Sequence, residues 1–159
     1  MPDADRRIVI ADHDADEHEY LHQDFHHITW FLIRDFDEHL GADQTDAFLK
    51  RVGRTVYAPL IVQLGNEGLR ALERHWRTVF EKEGGQFELS YEGEELVMTV
   101  GRCPAVAFLR EHEAAVTDRF CATTKIVNAA ICETAGYSCS CEHDAAARHC
   151  VQRFWKTPS

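Results

Sequence analysis

Apolar residues follow a helical spacing through most of the first half of the chain. Between residues 17 and 40 they recur at every third or fourth position, which predicts a helix with a buried stripe of Leu21, Phe25, Ile28, Leu32 and Phe36. Gly41 ends this helix, Pro59 divides the next, and Gly65–Asn66 marks a further break. A third apolar face runs to Gly84 and comprises Leu69, Leu72, His75, Trp76, Val79 and Phe80.

After Gly85 the spacing becomes alternating, which predicts a hairpin over residues 86–91 and 95–101. Two helices and a second strand pair follow, at Ala105–His112, Ala115–Ala135, Tyr137–Glu142 and Arg148–Trp155. The predicted fold class is α+β, an antiparallel sheet of about four strands packed against helices, with a helical N-terminal half. We expect an acidic N-terminal segment over residues 1–16 and a single α+β domain over residues 17–159.

The composition of the 159 residues is that of a globular protein, with 45% hydrophobic residues and a net charge of −10. This negative charge disfavours nucleic acids and anionic membranes as partners. No apolar run approaches the roughly 20 residues that cross a bilayer. The acidic N-terminus lacks the pattern of a secretory signal. We therefore expect a cytoplasmic protein whose cysteines are free thiols.

The cysteines cluster in the last third of the chain, at Cys103, Cys121, Cys132, Cys139, Cys141 and Cys150. Clustering predicts a thiol-rich site, or a shared core, built by the C-terminal half. Cys121 and Cys132 are eleven residues apart, almost three helical turns, so they share one helix face, with Asn128 near it. The alternative is that both thiols face the core as small apolar groups.

Three of these cysteines are candidate metal ligands. Cys139 and Cys141 alternate on a predicted strand, so they face the same side of the sheet, where Cys150 on the partner strand could join them. Zinc or iron could bind such a group. Because these cysteines lack the C-x2-C spacing that is usual for zinc ligands, we assign no cofactor from this pattern.

Histidines with helical spacing raise a second metal hypothesis. His18, His22 and His26 recur every four residues on the first predicted helix, beside its apolar stripe. Residues 18–22 (HEYLH) match the H-E-x-x-H pattern of helical metal sites, but matches to so short a motif are often coincidental. We interpret them as the solvated flank of the helix and predict that they are not an obligate metal site.

Arg102 and Cys103 lie where the second strand ends, directly before Pro104. A neighbouring arginine and the N-terminal amides of a helix that begins after Pro104 both favour thiolate. Arg102 can also hold a substrate carboxylate through a bidentate contact. We therefore predict that Cys103 is the most reactive thiol. The alternative is that Arg102 is a surface residue paired with an acidic side chain.

The sequence from the second strand onward has a family resemblance. Residues 100–104 (VGRCP), Phe120–Cys121, a helix closed by Gly136, and residues 148–154 (RHCVQRF) resemble the L-2-amino-thiazoline-4-carboxylic acid hydrolase family. More distantly, this ending resembles the vinyl-reductase-type small-molecule-binding domain. The likeness covers residues 20–156 in outline and is specific from Leu96 onward. Two features depart from the family pattern. The acidic residue that the family carries after its second cysteine is missing from residues 122–125, and Cys139 and Cys141 have no counterpart in the pattern.

The resemblance implies a hydrolase that acts on a small carbon–nitrogen ring substrate, such as an aminothiazoline carboxylate, in a pocket between the sheet and the long helix. The predicted catalytic residues are Cys103, Cys121 and Arg102, and the predicted substrate-binding residues are Arg153, Asn128 and Cys132. The general base is left open among His112, His143 and His149. The alternative is a non-enzymatic sensor that binds a small ligand or a metal through its cysteines. Association into a homo-oligomer is also left open.

Overall fold

The structure, a computed structural model, describes residues 24–144 and 149–158. Its helices are α1 (Asp24–His39), α2 (Ala42–Val56), α3 (Ala58–Glu67), α4 (Leu69–Lys82), α5 (Pro104–Glu111) and α6 (Asp118–Ala135). Its strands are β1 (Gln86–Glu92), β2 (Glu95–Arg102), β3 (Tyr137–Asp144) and β4 (His149–Lys156). The predicted α+β class and the helical N-terminal half are therefore confirmed. The predicted segment 1–16 and the turn residues 145–147 lie outside the described residues.

Glycine and proline set most of the helix boundaries. Gly41 has a φ of 88° and separates α1 from α2, as predicted. Pro59 lies in the first turn of α3, where its missing N–H costs nothing, so the predicted division is also confirmed. The break expected at Gly65–Asn66 is wrong, because α3 continues to Glu67 and ends at Gly68. Gly68 adopts the left-handed φ of 69°, which Gly65 does not need.

The four strands form one antiparallel sheet in the order β1-β2-β4-β3. Alternate residues of each strand face the helices. Leu96 and Met98 of β2 and Phe154 of β4 are buried on this inner face. Around them packs a core from α3, α4, α6 and the sheet, comprising Leu60, Leu64, Ala71, Leu72, Leu96, Ile131, Cys132, Tyr137 and Phe154. The sheet therefore presents one apolar face to the helical layer.

The stripe predicted to be buried on α1 is wrong. Phe25, Ile28 and Leu32 keep 53%, 47% and 38% of their surface exposed, and Leu21 lies outside the described residues. Ile33 is buried instead, at 4% exposure, in a cluster with Leu109 and Phe120. The helix carries apolar residues on two sides, and spacing alone did not identify the side that meets α5 and α6.

An ion-pair network joins the N-terminal helices to α6. Arg119 donates from Nε and Nη2 to the two carboxylate oxygens of Asp37, at 2.7 and 2.8 Å, and from Nη1 to Asp46 at 2.7 Å. The bond from Arg119 holds the pKa of Asp37 below its ordinary value, and hydrogen bonding to Asp37 raises that of Arg119. Because α1, α2 and α6 supply one residue each, the network fixes the helical layer above the sheet.

Replacing Arg119 with methionine is expected to lower the free energy of unfolding by about 1–2 kcal/mol, since its pair with Asp37 is bidentate and both ion pairs are partly shielded from solvent. Because the pKa of Asp37 is lower in the folded protein than in the unfolded chain, its ionised carboxylate stabilises the fold above the ordinary carboxyl pKa. This stabilisation is lost as the pH falls through the pKa of Asp37 in the folded protein. Urea unfolding of both proteins should therefore show a gap at pH 7 that narrows near pH 3. Arg77→Met, which removes only exposed pairs with Glu73 and Glu81, is the control and should change stability little. An equal loss in both variants would contradict this role.

Candidate small-molecule site

A cavity of about 790 Å³ lies between the helical layer and the inner face of the sheet. Its walls come from every described helix except α3, and from all four strands. Most of the lining is apolar or aromatic, including Leu49, Val52, Tyr57, Trp76, Val79, Phe80, Val100, Val106, Phe120 and Val127. Its volume is in the range of pockets that bind small organic molecules, roughly 300–1,000 Å³.

Three thiols reach this cavity from different elements. Cys103 is the N-cap of α5, Cys121 lies in the first turns of α6, and Cys150 lies on β4. The predicted placement of Cys103 and Cys121 in one pocket between the sheet and the long helix is thus confirmed, while their predicted catalytic roles stay predictions. Cys150 joins them because its strand turns that side chain inward.

The reactive thiolate predicted at Cys103 is not favoured by its surroundings. Burial raises its pKa, and this outweighs the backbone N–H groups of Val106 and Ala105, which bond the sulfur and favour the anion. The helix amides therefore act as predicted, but the loss of water has the larger effect. The guanidinium of Arg102 bonds the carbonyl of Gly84 at 3.0 Å and Glu111 at 3.4 Å. The alternative of an arginine paired with an acidic residue is the one observed.

Cys121 is also held in its neutral form. Burial, followed by the nearby Cys103 and Cys150, raises its pKa to about 11. At neutral pH a thiol with this pKa is almost wholly protonated, so it can donate a weak hydrogen bond but is a poor nucleophile. Cys103 and Cys121 consequently serve as neutral wall groups of the cavity.

Cys150 is the exception. The thiol of Cys141 donates a hydrogen bond to its sulfur and, despite partial burial, lowers the pKa of Cys150 to about 7. Gln152 adds a second donor, with its Nε2 3.6 Å from the Cys150 sulfur. As the donor, Cys141 must keep its proton, and its own pKa is raised. Of the three cavity thiols, Cys150 therefore has the largest thiolate fraction near pH 7.

A buried amide pair fixes the orientation of Gln152. Asn128 on α6 donates from Nδ2 to Gln152 Oε1 at 2.8 Å, and the two residues are only 2% and 4% exposed. Because Oε1 accepts this bond, the NH₂ group of Gln152 is turned toward Cys150. Both amides line the cavity, so the predicted position of Asn128 at the ligand site agrees with the structure. Gln152 was missed, although alternation from Cys150 could have placed it on the same face.

His143 stands directly opposite Cys150 in the antiparallel register of β3 and β4. Its Nε2 is 3.2 Å from the backbone carbonyl of Asp118, and since a carbonyl only accepts, Nε2 carries a proton. In the neutral ring the lone pair is then on Nδ1, which is buried and has no hydrogen-bond partner within the described part of the chain. Opposed residues have Cβ atoms about 4.5–5.5 Å apart, so the two side chains are neighbours, although Nδ1 makes no hydrogen bond to the Cys150 thiol in this structure. Of the two predicted bases whose side chains the structure describes, His143 is therefore the better placed.

A second predicted base, His112, does not reach this arrangement. The His112 ring stacks on Phe108, with centroids 4.1 Å apart, and is not part of the cavity lining. The side chain of His149 lies outside the described residues.

Two predicted substrate-binding residues lie away from the cavity. Cys132 is 1% exposed in the core and donates a hydrogen bond to Cys139, so the alternative of a core-facing thiol is observed there. Arg153 follows Gln152 along β4 and therefore points to the opposite face of the sheet. There it pairs with Glu92 at 2.6 Å and Glu95 at 3.6 Å. Neither residue is placed to contact a molecule in the cavity.

The candidate metal ligands form hydrogen-bonded pairs rather than a cluster. Cys139, Cys141 and Cys150 share the inner face as predicted, but the thiols pair as Cys132 with Cys139 and Cys141 with Cys150. Within residues 24–144 and 149–158 no group of three or more His, Cys, Asp or Glu side chains could hold a metal ion. The zinc or iron hypothesis thus gains no geometric support.

The first-helix histidines are described only in part. His26 lines the cavity and its Nε2 is hydrogen-bonded to Glu83 at 2.9 Å, so it is not a simple solvated flank. His18 and His22 lie outside the described residues. The prediction that the three form no metal site is therefore untested as a set.

No family model, curated protein or solved structure matches this chain. The likeness to the aminothiazoline carboxylate hydrolases accordingly stays a prediction. None of the helices that the structure describes has the length and apolarity needed to cross a membrane.

Proposed function

We propose that this protein is a thiol-dependent hydrolase that opens a carbon–nitrogen bond of a small cyclic molecule bound in the cavity. One observation carries the proposal: Cys150, the cavity thiol whose pKa is lowered to about 7, lies opposite the unpartnered Nδ1 of His143. A nucleophile, a base and a third group that orients the base are the components of nucleophilic catalysis. Here the orienting group is the backbone carbonyl of Asp118.

In the first half of the proposed reaction, His143 Nδ1 takes the proton of Cys150 and the sulfur attacks the amidine-like carbon. The new sulfur–carbon bond pushes an electron pair onto the ring nitrogen. That nitrogen takes the proton that His143 returns. The lone pair of the exocyclic nitrogen then forms a new carbon–nitrogen double bond, one exocyclic proton passes to the ring nitrogen, and the ring carbon–nitrogen bond breaks. Gln152 and Cys141 stabilise the thiolate form of Cys150 before the attack.

In the second half, His143 Nδ1 accepts a proton from a water molecule that attacks the sulfur-bound carbon. The sulfur leaves, regains a proton from His143, and the product has gained one water. Cys103 and Cys121 stay neutral and shape the cavity rather than attack. Asn128 acts through Gln152, whose amide it orients.

The direct test is turnover of cyclic amidines, with aminothiazoline carboxylate among them, followed by chromatography and mass spectrometry for the addition of water. We expect the wild type to open at least one ring and Cys150→Ala to lose at least about a thousandfold in kcat/KM, as nucleophile removal does. Cys139→Ala, a thiol outside the cavity lining, is the control and should retain most of the activity. Equal activity of wild type and Cys150→Ala would overturn the proposed mechanism.

A second candidate is a binding module without turnover. It is favoured by the neutral state of Cys103 and Cys121 and by the largely apolar lining of the cavity. Saturable binding of ring compounds without the addition of water, in wild type as in Cys150→Ala, would support this candidate instead.

We also propose that the protein works in the cytoplasm, since all six cysteines are free and such thiols persist in a reducing compartment. A homo-oligomer stays a prediction, which light scattering on the purified protein can measure.

A further inference from the structure

We propose that the cavity selects neutral, largely apolar molecules larger than a single small ring, and that it disfavours carboxylates. This rests on the proposed function in one respect, namely that the cavity is the ligand site, and it requires no turnover. It differs from the carboxylate substrate that the family resemblance implies.

The size of the cavity supports a ligand with more than one ring. An aminothiazoline carboxylate would leave much of the 790 Å³ unfilled. Small-molecule sites usually enclose most of the ligand surface, and an unfilled apolar cavity forfeits contacts. The aromatic walls, formed by Tyr57, Trp76, Phe80 and Phe120, suit a flat fused-ring body.

The charges of the lining argue against an anion. The lining holds two arginines, Arg102 and Arg110, against three carboxylates, Glu83, Glu111 and Asp144. Arg102 bonds Gly84 and Glu111, and Arg110 also interacts with the protein. Burial is the main cause of the raised pKa of both Tyr57 and Cys103, and the negative charge of Glu83 adds to it at both residues.

The buried amides supply a neutral recognition group instead. Asn128 uses its Nδ2 to hold Gln152, while no bond from its carbonyl oxygen to another residue is found in the described part of the chain. A ligand N–H can donate to that oxygen. Amides and amidines offer such a donor, whereas a carboxylate offers only acceptors. Burying a carboxylate beside an acceptor, without a cation to pair it, is costly.

A matched set of probes tests the proposal by isothermal titration calorimetry on the full chain near neutral pH. Naphthalene-2-carboxamide and naphthalene-2-carboxylate share one shape and differ in charge, while benzamide keeps the amide and loses one ring. We expect the naphthyl amide to bind at least about tenfold more tightly than either other probe. Ala107→Phe, which fills the cavity, should abolish its binding; folding of this variant is checked by circular dichroism.

Two further variants test the negative and the positive charges of the cavity lining one at a time. Glu83→Gln should narrow the preference for the amide over the carboxylate, because it removes a negative charge from the lining. If the naphthyl carboxylate binds more tightly than the amide, and Arg110→Gln removes that preference, the proposal is overturned. Binding of neither naphthalene overturns it as well. If the protein binds the naphthyl amide tightly but opens no ring, this inference about ligand selection is supported and the proposed hydrolase activity is contradicted.

Discussion

Gly53→Ala is expected to lower the free energy of unfolding by about 1–3 kcal/mol, the usual range for overpacked cores. Gly53 is buried where α2 crosses α6. A Cβ there would lie 2.9 Å from the Ala130 Cβ and 2.9 Å from the Val127 carbonyl oxygen. The latter is backbone and cannot move aside, so the helices must separate. The gain of about 1 kcal/mol that alanine brings to a helix is too small to offset this.

Gly65→Ala is the matched control, because Gly65 is also helical but a Cβ at this position would have nothing within 4 Å. We expect it to leave stability unchanged or to raise it by up to about 1 kcal/mol. Urea unfolding monitored by circular dichroism measures both variants. Gly53→Ala with wild-type stability would show that α2 and α6 do not pack this closely.

Cys150 is expected to react with iodoacetamide at least about tenfold faster than Cys103 or Cys121 at pH 7, because alkylation proceeds through the thiolate. With a pKa of about 7, near half of Cys150 is thiolate at that pH. At a pKa of about 11, only about one Cys121 thiol in ten thousand is ionised, which outweighs the higher intrinsic reactivity of a basic thiolate. Peptide mapping by mass spectrometry gives the rate for each thiol.

Two comparisons make this expectation specific. Gln152→Leu removes one donor to the Cys150 sulfur and should slow its labelling at pH 7, with a smaller effect at high pH. The pKa of Cys139 is lowered as well, by its bond from Cys132, and Cys139 is partly exposed like Cys150. Because Cys139 is absent from the cavity lining, reagent that enters the cavity does not reach it, and we expect it to label more slowly than Cys150. Fastest labelling at Cys139 would show that the hydrogen bond, and not the cavity, controls reactivity.

The sequence predicted the elements of the fold well where local chemistry decides them. Gly41, Pro59 and Gly136 end or divide helices through their own backbone preferences. Alternation likewise identified the four strands, because a half-buried sheet requires it. The helix end at Gly68 was missed because position 65 is also a glycine. Which of the two adopts a positive φ depends on where α4 docks.

The predicted α1 stripe failed for a different reason. Phe25 and Ile28 have the right spacing, yet Ile33 on another side of the helix is the buried residue. A helix with apolar residues on two sides has no single face that periodicity can select. The choice was made by the partners, Leu109 and Phe120, which are distant in sequence.

The sequence predicted which thiols lie at the site better than it predicted their protonation states. Clustering located the thiols, and the end of β2 correctly placed Cys103 at the cavity. Its protonation depended on burial, which the sequence does not display. Hydrogen bonds from Cys141, on the neighbouring strand, and from Gln152 stabilise the thiolate form of Cys150. The contact with Cys141 depends on the register of the two strands. Arg153 was assigned through the resemblance, although alternation turns it away from Gln152 and the cavity.

The pH dependence of labelling in the wild-type protein tests the central claim most directly. Each thiol is followed separately from pH 5 to pH 10 by iodoacetamide pulses and peptide mapping. The account predicts that the Cys150 rate rises with a midpoint near 7, while those of Cys103 and Cys121 rise only at the alkaline end. A midpoint above the ordinary thiol value for Cys150, or faster labelling of Cys103 at neutral pH, would contradict Cys150 as the reactive group of the cavity.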